Sequence, residues 1–424
     1  LMNLFSGLIK DVHTRFPHYK SDFIDIFDSK VISASIFLFF ACLANAVAFG
    51  SLSSLLTHGQ IGVIEMLIAT AIGGIIYALL SAQPITLLGG TGPIVIFTSL
   101  LFAICQKYEF NFLVAYAWCG LWAGVMLVIF SIINASNLMR YLSSFTDDIF
   151  AALVSIIFII EALDNIFRGY SFPTWDDGTG WVSVYFSFSM CILAWIFYVP
   201  AKYLDNRRRL YQILADFSPS LSIFLLAVAS FIILDHPLEG PDLPGLMYET
   251  SSGRDWFIDI SQSKDGIQYL MIIPGLFAAV LLYLDQNITS HIINESGAPL
   301  RKGHGYHLDL FLIGIMIIVF SLFGLPWIVA ATVHSVNHLK SLSANDPTNN
   351  KIKISVIETR VSALMIHIAI AAALFGLSWL ELIPMPVLFG LFIFMGLVSL
   401  NGNQFFARSM ALVVPFMMEL PQKT

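Results

Sequence analysis

Charge is scarce in this 424-residue chain, where Asp, Glu, Lys and Arg together make up 12%. Soluble proteins carry about 25%, which excludes a soluble enzyme. The net charge is −7 and no basic stripe interrupts it, so the sequence offers no footprint for nucleic acid. Cysteine is also sparse. Cys42, Cys105, Cys119 and Cys191 fall in or beside apolar runs without CxxC spacing, which excludes a metal-cluster motif and a disulfide framework. They read as space-filling residues. A cleaved leader pattern is missing too. Residues 1–30 mix Phe16, Phe23, Ile24 and Phe27 with Lys20, Asp22, Asp25 and Asp28, and no small-residue cleavage site follows the first apolar run. An interfacial helix is expected there.

What the chain has instead is apolar sequence, since 57% of it is hydrophobic. Bilayer hydrocarbon takes about 20 helical residues to cross. Runs near that length predict spans at about 31–50, 62–82, 91–105, 111–133, 148–167, 181–199, 219–235, 267–293, 308–328, 332–340, 358–380 and 383–400. The third and tenth are half-length, each preceded by a short extended piece, at Gly89-Gly90-Thr91-Gly92-Pro93 and at Gly324-Leu325-Pro326 through Thr332. Irregular backbone at membrane depth is tolerated only where it is buried in protein or lines a polar cavity. A pair of broken spans in matching positions of two halves therefore points to the substrate site of a transporter. The matching positions predict an all-α integral membrane protein with two inverted repeats of seven spans, the second of which stops at five, so its last two spans are expected to be missing from this chain.

Lys202, Arg207, Arg208 and Arg209 in one loop, and Arg301, Lys302, Lys340, Lys351 and Lys353 in two others, fall on one side if the N-terminus is cytoplasmic. The acidic 236–266 loop, with Glu239, Asp242, Glu249, Asp255, Asp259 and Asp265, then lies outside, as does the 168–180 loop with Asp176 and Asp177.

Thr91-Gly92-Pro93 is expected to start a helix in mid-membrane, and Thr332 to cap the helix running through Val333, His334 and Ser335. Two facing N-termini would offer unpaired N–H groups and partial positive charge to a small anion. Asp285 is the one acid in the middle of the eighth span, and a carboxylate at that depth calls for a polar cavity and a partner. Thr289, four residues on, shares its helix face, and the two oxygens suit a small hard cation such as Na⁺. A structural Asp bonded to a neighbouring helix is the competing reading. Glu161 is assigned to an outer vestibule. Tyr306, His307 and Asp309 are expected to fix a loop, and Glu358 and Arg360 to form an ordinary interfacial pair.

Residues 83–97, 205–217, 284–289 (LDQNIT), 302–309 (KGHGYHLD), 324–338 (GLPWIVAATVHSVNH) and 386–404 resemble, in order and over nearly the whole chain, the bicarbonate transporter family, solute carrier family 4. The resemblance implies fourteen spans, with a core domain of spans 1–4 and 8–11 moving against a gate of spans 5–7 and 12–14. On this sequence that gives an interfacial segment 1–30, core 31–140, gate 141–235, an extracellular loop 236–266, core 267–380 and gate 381–424. It also implies a homodimer through the gate, a multi-pass place in the plasma membrane, and transport rather than enzymatic activity. Asp in Leu284-Asp285-Gln286 sides with the sodium-coupled members, with Asp285 and Thr289 at the sodium position and Thr91, Gly92, Pro93, Thr332 and Val333 at the anion position. Sodium is then a transported coupling ion with no further cofactor, and bicarbonate or carbonate is the anion. His334 departs from the pattern, standing where exchangers place arginine, and keeps a chloride/bicarbonate exchanger open; a borate transporter is the third reading. Asn165 stands where a stilbene-reactive lysine is common.

Overall fold

The computed structural model describes residues 4–141, 144–169, 179–200, 214–215, 217–234, 238, 240–241, 243, 249–262, 266–295, 300–345, 354–401 and 403–413. Asp176, Asp177, Lys202, Arg207 to Arg209, Asp216, Glu239, Asp242, Asp265, Lys351 and Lys353 lie outside them. Among the described residues, the helices of ten residues or more are α1 (Ser6–Arg15), α2 (Ser29–Leu56), α3 (Val63–Leu80), α4 (Gly92–Lys107), α5 (Phe112–Ile132), α6 (Ser144–Asp164), α7 (Thr179–Val199), α8 (Ser218–Ile233), α9 (Ile272–Asn294), α10 (His307–Leu322), α11 (Thr332–Leu342), α12 (Val361–Ala373), α13 (Met385–Leu400) and α14 (Gln404–Val413). Among the described residues, six stretches are long and apolar enough to cross a membrane: Ser29–Leu56, Val63–Leu80, Phe112–Ile132, Gly180–Val199, Ile267–Asn294 and Val361–Leu380.

Local chemistry sets the ends of these helices. The Asp28 carboxylate accepts the Lys30 N–H at 2.8 Å and starts α2, and the Asn111 side chain accepts from Leu113 N at 3.1 Å and starts α5. Helix α2 runs past the expected end at 50 to Leu56, because nothing breaks it before the turn at His58 and Gly59. Helix α10 ends at Leu322 instead of 328. Gly324 turns the chain with φ 60°, and a Cβ there would come within 2.5 Å of the Arg254 guanidinium. Helix α14 and a β3–β4 hairpin (Ser343–Asn345 with Ile354–Val356) were not expected from the sequence.

Contacts divide the chain into two compact units, Leu1–Met139 with Gly240–Leu382, and Arg140–Glu239 with Ile383–Thr424. In the first, α2, α3, α4 and α5 recur in order as α9, α10, α11 and α12. Helix α5 packs along α10 and α9, while α12 packs along α3 and α2, so exchanging the two sets reproduces the contacts. Close approach rests on small residues. A Cβ on Gly124 of α5 would lie 2.7 Å from the Gly314 carbonyl of α10. In the second unit α13 packs against α6, α7 and α8, with Gly390 on the Ser187 backbone and the Ser187 hydroxyl donating to Pro386 O at 2.8 Å.

The N-terminal segment does more than lie at an interface. One oxygen of the buried Asp11 carboxylate on α1 accepts the N–H groups of Tyr306 (3.1 Å), His307 (2.7 Å) and Leu308 (3.0 Å), capping α10 from another element. Glu358 and Arg360 do not form the pair with each other that was expected from the sequence. Arg360 donates to Asp22 at 3.0 Å and to the C-terminal carbonyls of Ala78, Leu79 and Ser81, while Glu358 accepts from Arg15 at 3.3 Å and from the Lys302 N–H. Proximity in sequence suggested a pair, but burial favours the partners that give Arg360 four acceptors, one carboxylate and three carbonyls.

Candidate functional site

The site is built on two backbone breaks that satisfy each other. Strand β1 (Leu88–Gly89) pairs antiparallel with β2 (Val329–Ala330), with Leu88 opposite Ala330 and Gly89 opposite Val329. The ladder continues as Ala331 N–H donates to Leu87 O at 2.9 Å and Leu87 N–H donates to the Ser335 hydroxyl at 3.0 Å. His338 extends it, facing Ile85 O at 2.7 Å and Ser362 Oγ at 2.6 Å. A carbonyl only accepts, so Nδ1 carries a proton, and in the neutral imidazole Nε2 then accepts from the serine.

Each strand leads directly into a half-helix, α4 or α11. Thr91 is the N-cap of α4 in extended conformation, with Pro93 in the first turn as expected. Thr332 does not cap α11, contrary to expectation. Ala331 holds the cap position, Thr332 is the first helical residue, and no described side chain caps either helix. Both threonine hydroxyls are drawn to α9 instead. Thr91 Oγ1 donates to Asp285 Oδ2 at 2.6 Å, and Thr332 Oγ1 lies 2.6 Å from Thr289 Oγ1. Thr289 also reaches Ala330 O at 3.2 Å, which can only accept, so Thr289 donates there and takes the Thr332 proton. No described side chain takes the first-turn N–H groups of either half-helix, which leaves them available apart from Pro93, which has none.

The face of α9 expected to carry a cation thus touches both half-helices, Asp285 at the start of α4 and Thr289 at the start of α11. Asp285 is partly buried, its Oδ1 accepts no hydrogen bond from any described residue, and no described Lys, Arg or His pairs with it. Gly92 is buried, Pro93 partly so, and Val333 is 68% exposed at the head of α11. His334 is partly buried, and its Nδ1 has no hydrogen-bond partner among the described residues. Glu161 belongs to the second unit, where its carboxylate accepts from Asn165 Nδ2 at 3.3 Å. No group of three or more His, Cys, Asp or Glu side chains suited to a metal occurs among the described residues.

Sequence reasoning missed the amides that brace the breaks. The fully buried Gln286 accepts the Ala330 N–H at 3.0 Å and donates to Tyr77 OH and Ser290 Oγ, each at 3.3 Å. Asn45 Nδ2 in α2 donates to Gly90 O at 3.1 Å. A signal for both was available, since each is an amide within an apolar span.

Helices of membrane length, a repeated four-helix set and a polar centre between two half-helices define a multi-pass membrane transporter fold. Residues 3–179 and 181–423 match the family described as the HCO3⁻ transporter integral membrane domain. The chain therefore belongs to the bicarbonate transporter family. It is 32% identical to the electroneutral sodium bicarbonate exchanger 1 of Rattus norvegicus over 96% of this chain and 44% of the relative. To the sodium-driven chloride bicarbonate exchanger of Homo sapiens it is 31% identical, over 96% and 43%. Identity to the human band 3 anion transport protein is 32%, over 97% and 48%. The chain thus spans just under half the length of these relatives. Among solved structures, the transmembrane domain of the cyanobacterial bicarbonate transporter BicA shares the fold with a TM-score of 0.65 at 17% identity, covering 93% of this chain and 96% of that one. SLC26A9 does so with 0.65 at 13%, covering 96% and 63%.

Proposed function

We propose that this protein carries bicarbonate or carbonate across the membrane together with sodium, by alternating access. The observation that supports this best is Asp285. It is an intramembrane carboxylate with one oxygen held by Thr91, the other free among the described residues, and no described protein cation beside it. Such a group calls for a cation from outside the fold. Sodium, held by Asp285 and Thr289, supplies it. The anion lodges between the half-helix N-termini at Thr91, Gly92, Pro93, Thr332, Val333 and His334. Cation and anion together leave the loaded site with much of its charge neutralised, which lowers the cost of carrying it past apolar surroundings. The first unit is the core that carries the site. The second is the gate, with Glu161 at its vestibule and the homodimer contact. No covalent bond changes.

The relatives' names include both sodium-driven and anion-exchange transport, and His334 supports the exchanger as a second reading: an imidazole beside the anion could replace the cation's charge. Bicarbonate-driven pH recovery in plasma-membrane vesicles separates the two. The sodium reading expects recovery to stop when sodium is replaced by a large organic cation and to continue without chloride. Recovery that ignores sodium and stops without chloride would reject it.

A further inference from the structure

The first residues of the half-helices, Gly92 and Thr332, lie 240 positions apart (332 minus 92). The same offset carries Gly89 onto Val329, its own partner in the strand pair. A two-fold axis relating inverted repeats must pass where a residue meets its mate, so it passes through this pair. Applied to the long helices, the offset carries Asn45 of α2 onto Asp285 of α9. The two positions that face the breaks are therefore occupied by an acid in one repeat and by its neutral isostere in the other.

Their contacts converge. Asp285 takes the hydroxyl of Thr91, and Asn45 Nδ2 donates at 3.1 Å to the carbonyl of the preceding residue, Gly90. A Cβ on Gly89 would lie 3.3 Å from Asn45 Nδ2, so the amide approaches the strand pair at the residue that lies on the axis. Asn45 is 8% exposed, and its Oδ1 has no hydrogen-bond partner among the described residues. Thr91 does not use its side chain to cap α4, and the Gly90 carbonyl direction fixes the planar Gly90–Thr91 peptide and, through it, the Thr91 hydroxyl.

We propose that Asn45 is a positioning residue of the transport site: as the repeat mate of Asp285 it holds the Gly90–Thr91 peptide so that Thr91 meets the Asp285 carboxylate, and it thereby sets affinity for the coupled cation. Because the mate position bears no charge, the site keeps a single carboxylate, which suits a monovalent cation. This rests on the sodium-coupled reading above.

The test is the sodium dependence of bicarbonate-driven transport by the full chain in proteoliposomes, for the natural protein, Asn45→Ala and Asn45→Leu. Losing one buried hydrogen bond is expected to raise the apparent KM for sodium about tenfold in both variants, with the maximal rate per reconstituted protein held within about twofold. A merely structural residue would lower rate or yield and leave KM alone, and that result overturns the inference. If Asn45→Ala does not fold, Asn45→Leu in detergent serves through the sodium concentration that half-saturates its thermal stabilisation. An unmoved midpoint overturns the inference equally. Sodium-independent transport by the natural protein would reject the function itself, and that failure is visible before any variant is made.

Discussion

Removing the Asp22 carboxylate should release the floor of the first unit. One fully buried carboxylate receives Arg15 Nη2 at 2.8 Å, Lys302 Nζ at 2.9 Å and Arg360 Nε at 3.0 Å, joining the N-terminal segment, the loop before α10 and the start of α12. Breaking a buried ion pair from one side costs about 3–5 kcal/mol, because the partner charge is left stranded. All three cations retain other acceptors, Lys302 Nζ keeping the Glu358 carbonyl at 2.6 Å. Arg15 keeps Glu358 at 3.3 Å, and Arg360 keeps the carbonyls of Ala78, Leu79 and Ser81. The lower end therefore applies to Asp22→Asn, about 3 kcal/mol, or about 6–12 °C in unfolding temperature on the scale of large domains. Thermal unfolding in detergent reads it directly. Arg15→Ala should then cost less when combined with Asp22→Asn than in the natural protein, by at least about 1 kcal/mol of coupling. An Asp22→Asn protein that melts with the natural one, or additive costs for the two changes, would refute the network as a source of stability.

The other outcomes follow from single contacts. Asp11→Ala strips the cap from α10 and leaves three N–H groups without an acceptor, so a loss of about 2 kcal/mol is expected, half recovered by Asp11→Asn; equal stability of the two variants would mean that charge is irrelevant there. Gln286→Leu leaves the Ala330 N–H and the Tyr77 hydroxyl without this amide, costing about 1–3 kcal/mol in thermal stability and weakening sodium affinity; unchanged affinity would detach β2 from the site. Stilbene disulfonates should inhibit weakly and reversibly. Asn165→Lys should make an isothiocyanate stilbene attach covalently, seen as protein mass gain, and no adduct would place residue 165 away from the inhibitor.

Much of the architecture was legible in the sequence because hydropathy is periodic on the scale of a bilayer. The starts and ends of α3, α4, α5 and α7 fall within about two residues of those expected, inside the usual ambiguity of helix ends. Gly and Pro marked both breaks, since they interrupt a helix whatever surrounds them. What hydropathy does not encode is which distant group satisfies a polar side chain. Thr332 looks like a cap by local preference, yet a hydroxyl 43 positions away competes for it. Glu358 and Arg360 look like neighbours in a pair, yet the partners of Arg360 include Asp22, 338 positions away. Asp285 and Thr289 could be placed on one face by helical periodicity alone; that this face meets both half-helices depends on the strand pair, which a two-residue pattern cannot announce.

Sodium-22 uptake into proteoliposomes holding the natural protein or Asp285→Asn, with and without bicarbonate, tests the central claim most directly. The account predicts bicarbonate-dependent uptake by the natural protein and its loss in Asp285→Asn, which keeps the side-chain shape and an oxygen for Thr91 but removes the charge. Bicarbonate-dependent sodium uptake that survives in Asp285→Asn would contradict the assignment of this carboxylate as the cation site.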